Sequence, residues 1–221
     1  MGSPRNPFSS HRVCPGALAH VASGEVPGGP PPLDELARAW FAAGRRGLLL
    51  GPHGTGKSTV LHHLGAWLRA EHRGGGPCGR EVRLCRMPGP ADWWWCARHG
   101  HRAVLLWDSA ENCPVPRAAT TRLVLAITRA GCVATAHRPM WGWPALLRTQ
   151  VQPAVGHALV CRLLHGAAPL PDGSPYPVPT PGGVAQMLER AGGNMREVLF
   201  ALYDDYEARY RAALERPRPD G

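Results

Sequence analysis

The chain has 221 residues, 44% of them hydrophobic, and a formal charge of +9. That length carries one sizeable core with at most a small appended unit, and the apolar content excludes a disordered chain. No apolar run reaches the ~18 residues of a membrane span, and seven cysteines without a Cys-x-x-Cys pair point to reduced thiols of a cytoplasmic protein rather than a disulfide framework or zinc site.

Residues 1–31 are rich in Pro, Gly and Ser and read as a mostly extended segment. MGSPRNPFSS offers no apolar signal core, and Asn6 stands where a myristoylation signal wants Ser or Thr. Over 33–43, Leu33, Leu36, Ala37, Trp40 and Phe41 fall on one helical face, and Gly44 closes the helix. RRGLLL is a short buried strand. A glycine-rich loop follows it, then the helix STVLHHLGAWLRAEHR, with Val60, Leu61, Leu64, Trp67 and Leu68 inward. Residues 73–79 form a glycine-rich turn. EVRLCRM alternates as a strand does, and DWWWCARHG reads as a short helix.

HRAVLLWD is a fully buried strand ending in Asp108. Residues 117–130 form a helix closed by Gly131. CVATAHR is another buried strand, and TQVQP a weaker strand candidate. Helices follow at 154–165, 181–192 and 195–214, the first two separated by the proline-rich GAAPLPDGSPYPVPTPGG. Strands alternating with helices predict an α/β fold with a parallel sheet covered on both faces. The expected division is an N-terminal segment at 1–31, a core at 32–153, a small helical lid at 154–214 and a tail at 215–221.

The loop carries the chemistry. Gly51-Pro52-His53-Gly54-Thr55-Gly56-Lys57-Ser58 matches G-x-x-x-x-G-K-[ST], between a buried strand and an amphipathic helix, with Thr59 next. Such a loop turns successive N–H groups toward phosphate oxygens, and the new helix adds its positive end to the same spot. Of the 25 basic side chains 24 are arginine, and the one lysine is Lys57. A compact ammonium on a slender stem fits between terminal phosphates where a planar guanidinium does not. The expected ligands are ATP and Mg²⁺, with the Ser58 hydroxyl on the metal.

A carboxylate must share that metal. Val104-Leu105-Leu106-Trp107-Asp108 supplies one at a strand's end. The next strand, Cys132 to Arg138, ends in polar residues and resembles the sensor strand of AAA+ ATPases; that resemblance implies that Thr135, with His137 as the alternative, contacts the terminal phosphate or the attacking water.

NPFSSHRVCPGA, GPHGTGKST, WDSAE, VATAHRP and GNMREVLFALYDDYE together resemble a group of small bacterial ATP-binding proteins of the AAA type. The resemblance covers nearly the whole chain. It implies a P-loop NTPase three-layer sandwich of the AAA+ kind with a reduced lid, and Thr135 on its sensor strand. It also implies that Arg196, in the GN-x-RE segment, is a second sensor; the plainer reading is a helix start with Asn194 as N-cap. In hydrolytic members of the additional-strand ATPases a Glu follows the metal-binding Asp and orients water. Here that residue is Ser109, and the nearest acid is Glu111. By the same analogy, residues 7–16 lie across the adenine, with Arg12, Val13 or Pro15 near the base.

The implied function is Mg²⁺-dependent ATP hydrolysis coupled to movement of the lid or a protein client. A small-molecule or nucleoside kinase shares the loop, and so does a non-hydrolysing ATP switch with a nucleic-acid or protein partner. The +9 charge reads either as arginine-rich composition or as an anion-binding patch; the arginines are scattered. Trp93-Trp94-Trp95 cannot all face one core, so at least one is expected at the surface. Arg148 sits where some AAA+ proteins place a finger for a neighbouring subunit, which leaves self-association open beside a plain surface arginine.

Overall fold

A computed structural model describes residues 6–15, 17–18, 26–27, 29–73 and 80–215. The turn expected at 73–79, Cys78 and the tail at 216–221 lie mostly or wholly outside them. Two compact units form, one from Pro30–Gln150 and one from Met1–Gly29 with Val151–Gly221.

The first unit is built on five strands: β1 (Arg46–Leu50), β2 (Glu81–Cys85), β3 (Ala103–Trp107), β4 (Gly131–Ala136) and β5 (Ala145–Arg148). All pair in parallel, in the order β2-β3-β4-β1-β5. β3 and β4 are buried along their whole length, as near-continuous apolar strands of a two-sided sheet must be. Alternation sorts their side chains. Leu49, Val104, Leu106 and Val133 pack on α1 (Leu33–Ala42) and α2 (Lys57–Arg73). Leu48, Leu50, Leu105, Trp107 and Cys132 pack on α3 (Pro90–His99) and α4 (Val115–Thr128). Helices thus cover both faces, as the alternation of strands and helices predicts.

Local structure departs from expectation in places. The fifth strand is Ala145–Arg148, not TQVQP, and Arg148 is its exposed last residue. α4 ends at Arg129, which takes a left-handed conformation (φ 56°), so Gly131 is free to open β4. Within the N-terminal segment, residues 6–15 are turned rather than extended: Arg12 and Val13 both donate backbone N–H bonds to the Ser9 carbonyl.

Gly131 shows why a glycine starts β4. A Cβ there would lie 2.5 Å from Cζ2 of Trp40, a fully buried ring whose Nε1 donates to the Cys132 carbonyl at 3.1 Å. Gly131→Ala is expected to destabilise by about 1–3 kcal/mol, the usual penalty of overpacking. Denaturant unfolding checks it, and in the Trp40→Phe background the penalty should shrink.

The tryptophan run divides as its geometry demands. Trp93 donates to Thr121 Oγ1 at 2.9 Å, Trp95 packs on the core, and Trp94 is 65% exposed under the Arg98 guanidinium. Cys85 and Cys96 are free thiols that burial pushes up to about 12 and about 11, so they stay protonated and inert.

The second unit packs α5 (Pro153–Leu164), α6 (Pro181–Arg190) and α7 (Met195–Glu215) around Val160, Val184, Leu188, Val198, Leu202 and Tyr206. Phe8 and Val13 of the N-terminal segment belong to this core. Phe8 is 1% exposed, and the Asn6 side chain donates to Glu207 Oε1 at 2.8 Å and the Tyr203 carbonyl at 3.2 Å. No helix among the described residues is long and apolar enough to cross a membrane.

Candidate functional site

The loop from Gly51 to Gly56 leaves the carboxyl end of β1 and runs into α2, whose first residue is Lys57. Gly54 and Gly56 take positive φ (70° and 89°), as a loop turning its N–H groups inward requires. Gly51 is required for space as well. A Cβ there would collide with the Thr149 hydroxyl. Thr149 was not legible as a site residue, and nothing in its sequence surroundings signals it. It follows β5, donates its N–H to the Leu50 carbonyl at 2.7 Å, and holds Thr55 Oγ1 at 2.6 Å.

Lys57 is 8% exposed. Its Nζ donates to the carbonyls of Gly51 at 2.7 Å and Pro52 at 2.6 Å. Ser58 sits one residue further into α2 and donates to Asp108 Oδ1 at 2.8 Å. Two residues far apart in sequence are joined because β1 and β3 end on the same side of the sheet, flanking β4. β4 supplies the third member. Thr135 Oγ1 donates to the same Asp108 oxygen at 2.7 Å and accepts the Ser109 N–H at 2.7 Å. Thr135 therefore fixes the Asp108 carboxylate and the turn after β3, with both hydroxyl roles taken.

That turn bends sharply. Ser109 is left-handed (φ 57°, ψ 52°), and one 3₁₀ turn over Ala110–Asn112 follows. The bend brings Glu111 back over β4. Glu111 Oε1 lies 2.9 Å from His137 Nε2, and Glu111 Oε2 is buried without a hydrogen-bond partner among the described residues. The other ring nitrogen, Nδ1, donates to the Gly51 carbonyl at 2.9 Å, and Lys57 Nζ is 3.4 Å from it. The His53 ring stands 3.9 Å from that of His137. His53, Glu111, His137, Arg138, Pro139 and Met140 line a cavity of about 520 Å³.

Among the described residues no three His, Cys, Asp or Glu side chains are grouped to hold a metal. Mg²⁺ asks for less, since it keeps several waters and takes one or two protein oxygens beside phosphates. Ser58 Oγ and Asp108 Oδ1 are hard oxygens already in contact, Asp108 is 6% exposed, and Arg86 Nε lies 3.9 Å from its Oδ2. A buried carboxylate beside a hydroxyl is a donor set that fits such a cation. Arg196 is exposed at the start of α7 and belongs to the other unit, as do Arg12, Val13 and Pro15; of these Val13 packs against the helical core.

Compared with models of known protein families and with curated proteins, the chain matches none.

Proposed function

We propose that the chain binds ATP with Mg²⁺ at the loop from Gly51 to Thr59 and hydrolyses it. The observation that carries this is the Ser58–Asp108 bond of 2.8 Å beside the buried Lys57 ammonium. Loop, lysine, hydroxyl and acid are the four parts a phosphate-transferring site needs, and they meet at the carboxyl end of a parallel sheet. The P-loop sandwich of the AAA+ kind is the finer reading of the fold. The position of β4 between β1 and β3, from which Thr135 reaches Asp108, supports it.

Mg²⁺, when bound, supplies charge neutralisation on the phosphates. The chain's own groups do the positioning. Loop N–H groups and the start of α2 receive the phosphate oxygens. Lys57 exchanges two carbonyls for them. Ser58 and Asp108 hold the metal, and Thr135 keeps Asp108 in its rotamer. Glu111 orients the attacking water, in place of an acid at Ser109. The non-hydrolysing switch is the second reading, favoured by that same Ser109, whose short side chain cannot act as a carboxylate base.

Asp108→Asn separates metal from loop. With Mg²⁺ present, ATP affinity should fall by about 10- to 100-fold, the worth of one charge-assisted contact. Without Mg²⁺ it should change little. Titration calorimetry with and without EDTA measures both, and an equal loss in the two would remove Asp108 from the metal.

A further inference from the structure

We infer that His137 is a positioning residue that clamps the Glu111 carboxylate to the first carbonyl of the phosphate loop. This rests on the ATP-hydrolysing reading above and deepens it.

Each ring nitrogen of His137 meets one oxygen. Nδ1 is 2.9 Å from the Gly51 carbonyl and Nε2 is 2.9 Å from Glu111 Oε1. A carbonyl only accepts, so the Nδ1 contact is the ring's to donate, and the Nε2–Oε1 contact pairs the ring's other nitrogen with the carboxylate. An imidazole is rigid, so the two oxygens are fixed relative to each other. The groups facing the ring are His53 and Lys57 from the loop and α2, and Glu111 from the turn after β3; Arg138 follows it in the chain. Asp108 is engaged elsewhere, with Ser58 and Thr135.

Two consequences follow for the site. With Oε1 anchored, the direction of the Glu111 carboxylate is set, and its second oxygen, buried and without a donor among the described residues, is left to receive one. The clamp also shares the Gly51 carbonyl with Lys57. When Lys57 leaves that carbonyl for a phosphate, His137 still satisfies it, so no bare carbonyl dipole faces the incoming anion. Occupancy of the loop and aim of the acid are thereby joined through one ring. Glu111 and His137 lie on different elements and only the fold pairs them.

Three substitutions take the clamp apart. An asparagine amide can stand in for Nδ1 and keep the Gly51 contact. A glutamine amide can stand in for Nε2 and keep the Glu111 contact. An alanine keeps neither. ATP affinity and turnover are measured for His137→Ala, His137→Asn and His137→Gln. His137→Ala should keep affinity within a few-fold and lose about 10²-fold in turnover, the size of one misaligned catalytic group. His137→Gln should recover most of that loss, and His137→Asn should not. The double variant His137→Ala with Glu111→Gln should be no slower than the slower single, as expected for groups acting as a unit. Wild-type turnover in His137→Ala, equal recovery by Asn and Gln, or ATP binding without any turnover in the wild type would each overturn the clamp while leaving ATP binding intact. Absence of ATP binding in the wild type would instead overturn the functional reading on which the clamp rests.

Discussion

Lys57→Arg abolishes ATP binding and leaves the fold intact: that is the expected result with the largest effect. Lys57 is 8% exposed, its ammonium in a slot walled by the Gly51 and Pro52 carbonyls at 2.7 and 2.6 Å and by the His137 ring at 3.4 Å. A guanidinium keeps the charge but is planar and wider, so it fills the slot only by displacing the ring or the loop. The two charge-assisted contacts that the lysine would transfer to phosphate are worth about 1.5–3 kcal/mol each, so affinity should drop by about 10²-fold or more. Lys57→Ala should lose as much. Folding should survive both, because the loop also rests on Thr149 and His137. Labelled-ATP filter binding, with circular dichroism as the folding control, reads the two effects separately. Unchanged affinity in Lys57→Arg would remove the loop from nucleotide binding. The chain carries arginine at 24 positions, so a tolerated arginine here would also leave its single lysine without a physical reason.

What could be read from sequence was whatever a local pattern determines. β1, β3 and β4 are short apolar runs, and the loop between β1 and α2 is fixed by its glycines and lysine. β5 is not legible in sequence because its four residues lie at a sheet edge, two half-buried and two exposed, so no burial pattern marks them. TQVQP has the better alternation. Its Thr149 nevertheless serves as a buttress for the loop, and Pro153 opens α5. In sequence Gly131 reads as a helix terminator because glycine commonly ends helices. Arg129 takes that role in a strained conformation, and the demand at Gly131 is space for Trp40. The N-terminal segment was legible as loop-rich, but its docking through Asn6 and Phe8 depends on α7, some two hundred residues away. Thr135 was placed correctly on its strand, yet its hydroxyl is engaged with Asp108 and Ser109, which only side-chain geometry shows.

Glu111→Gln should keep ATP affinity within a few-fold and lower turnover by about 10²-fold or more, the ordinary worth of a positioned base. Glu111 touches neither the loop amides nor Ser58, so the phosphate contacts stay as they are. Its carboxylate is buried on one oxygen and bonded to His137 Nε2 at 2.9 Å on the other. Glutamine has nearly the same shape but offers an amide in place of one oxygen. It can keep the histidine contact or present an acceptor to water, without the negative charge that draws a proton from that water. Shape is retained and basicity is lost, so the change isolates the chemical role from packing. Ser109→Glu is the complementary test. The left-handed Ser109 backbone (φ 57°) strains any branched or long side chain, and its N–H is already held by Thr135. A glutamate there should therefore raise turnover only modestly, or leave it unchanged, and should not rescue Glu111→Gln in full. Single-turnover measurement with saturating ATP separates the chemical step from product release. Full activity in Glu111→Gln would remove Glu111 from the mechanism and point to His137, on the same cavity wall, or Thr135 as the water-orienting group.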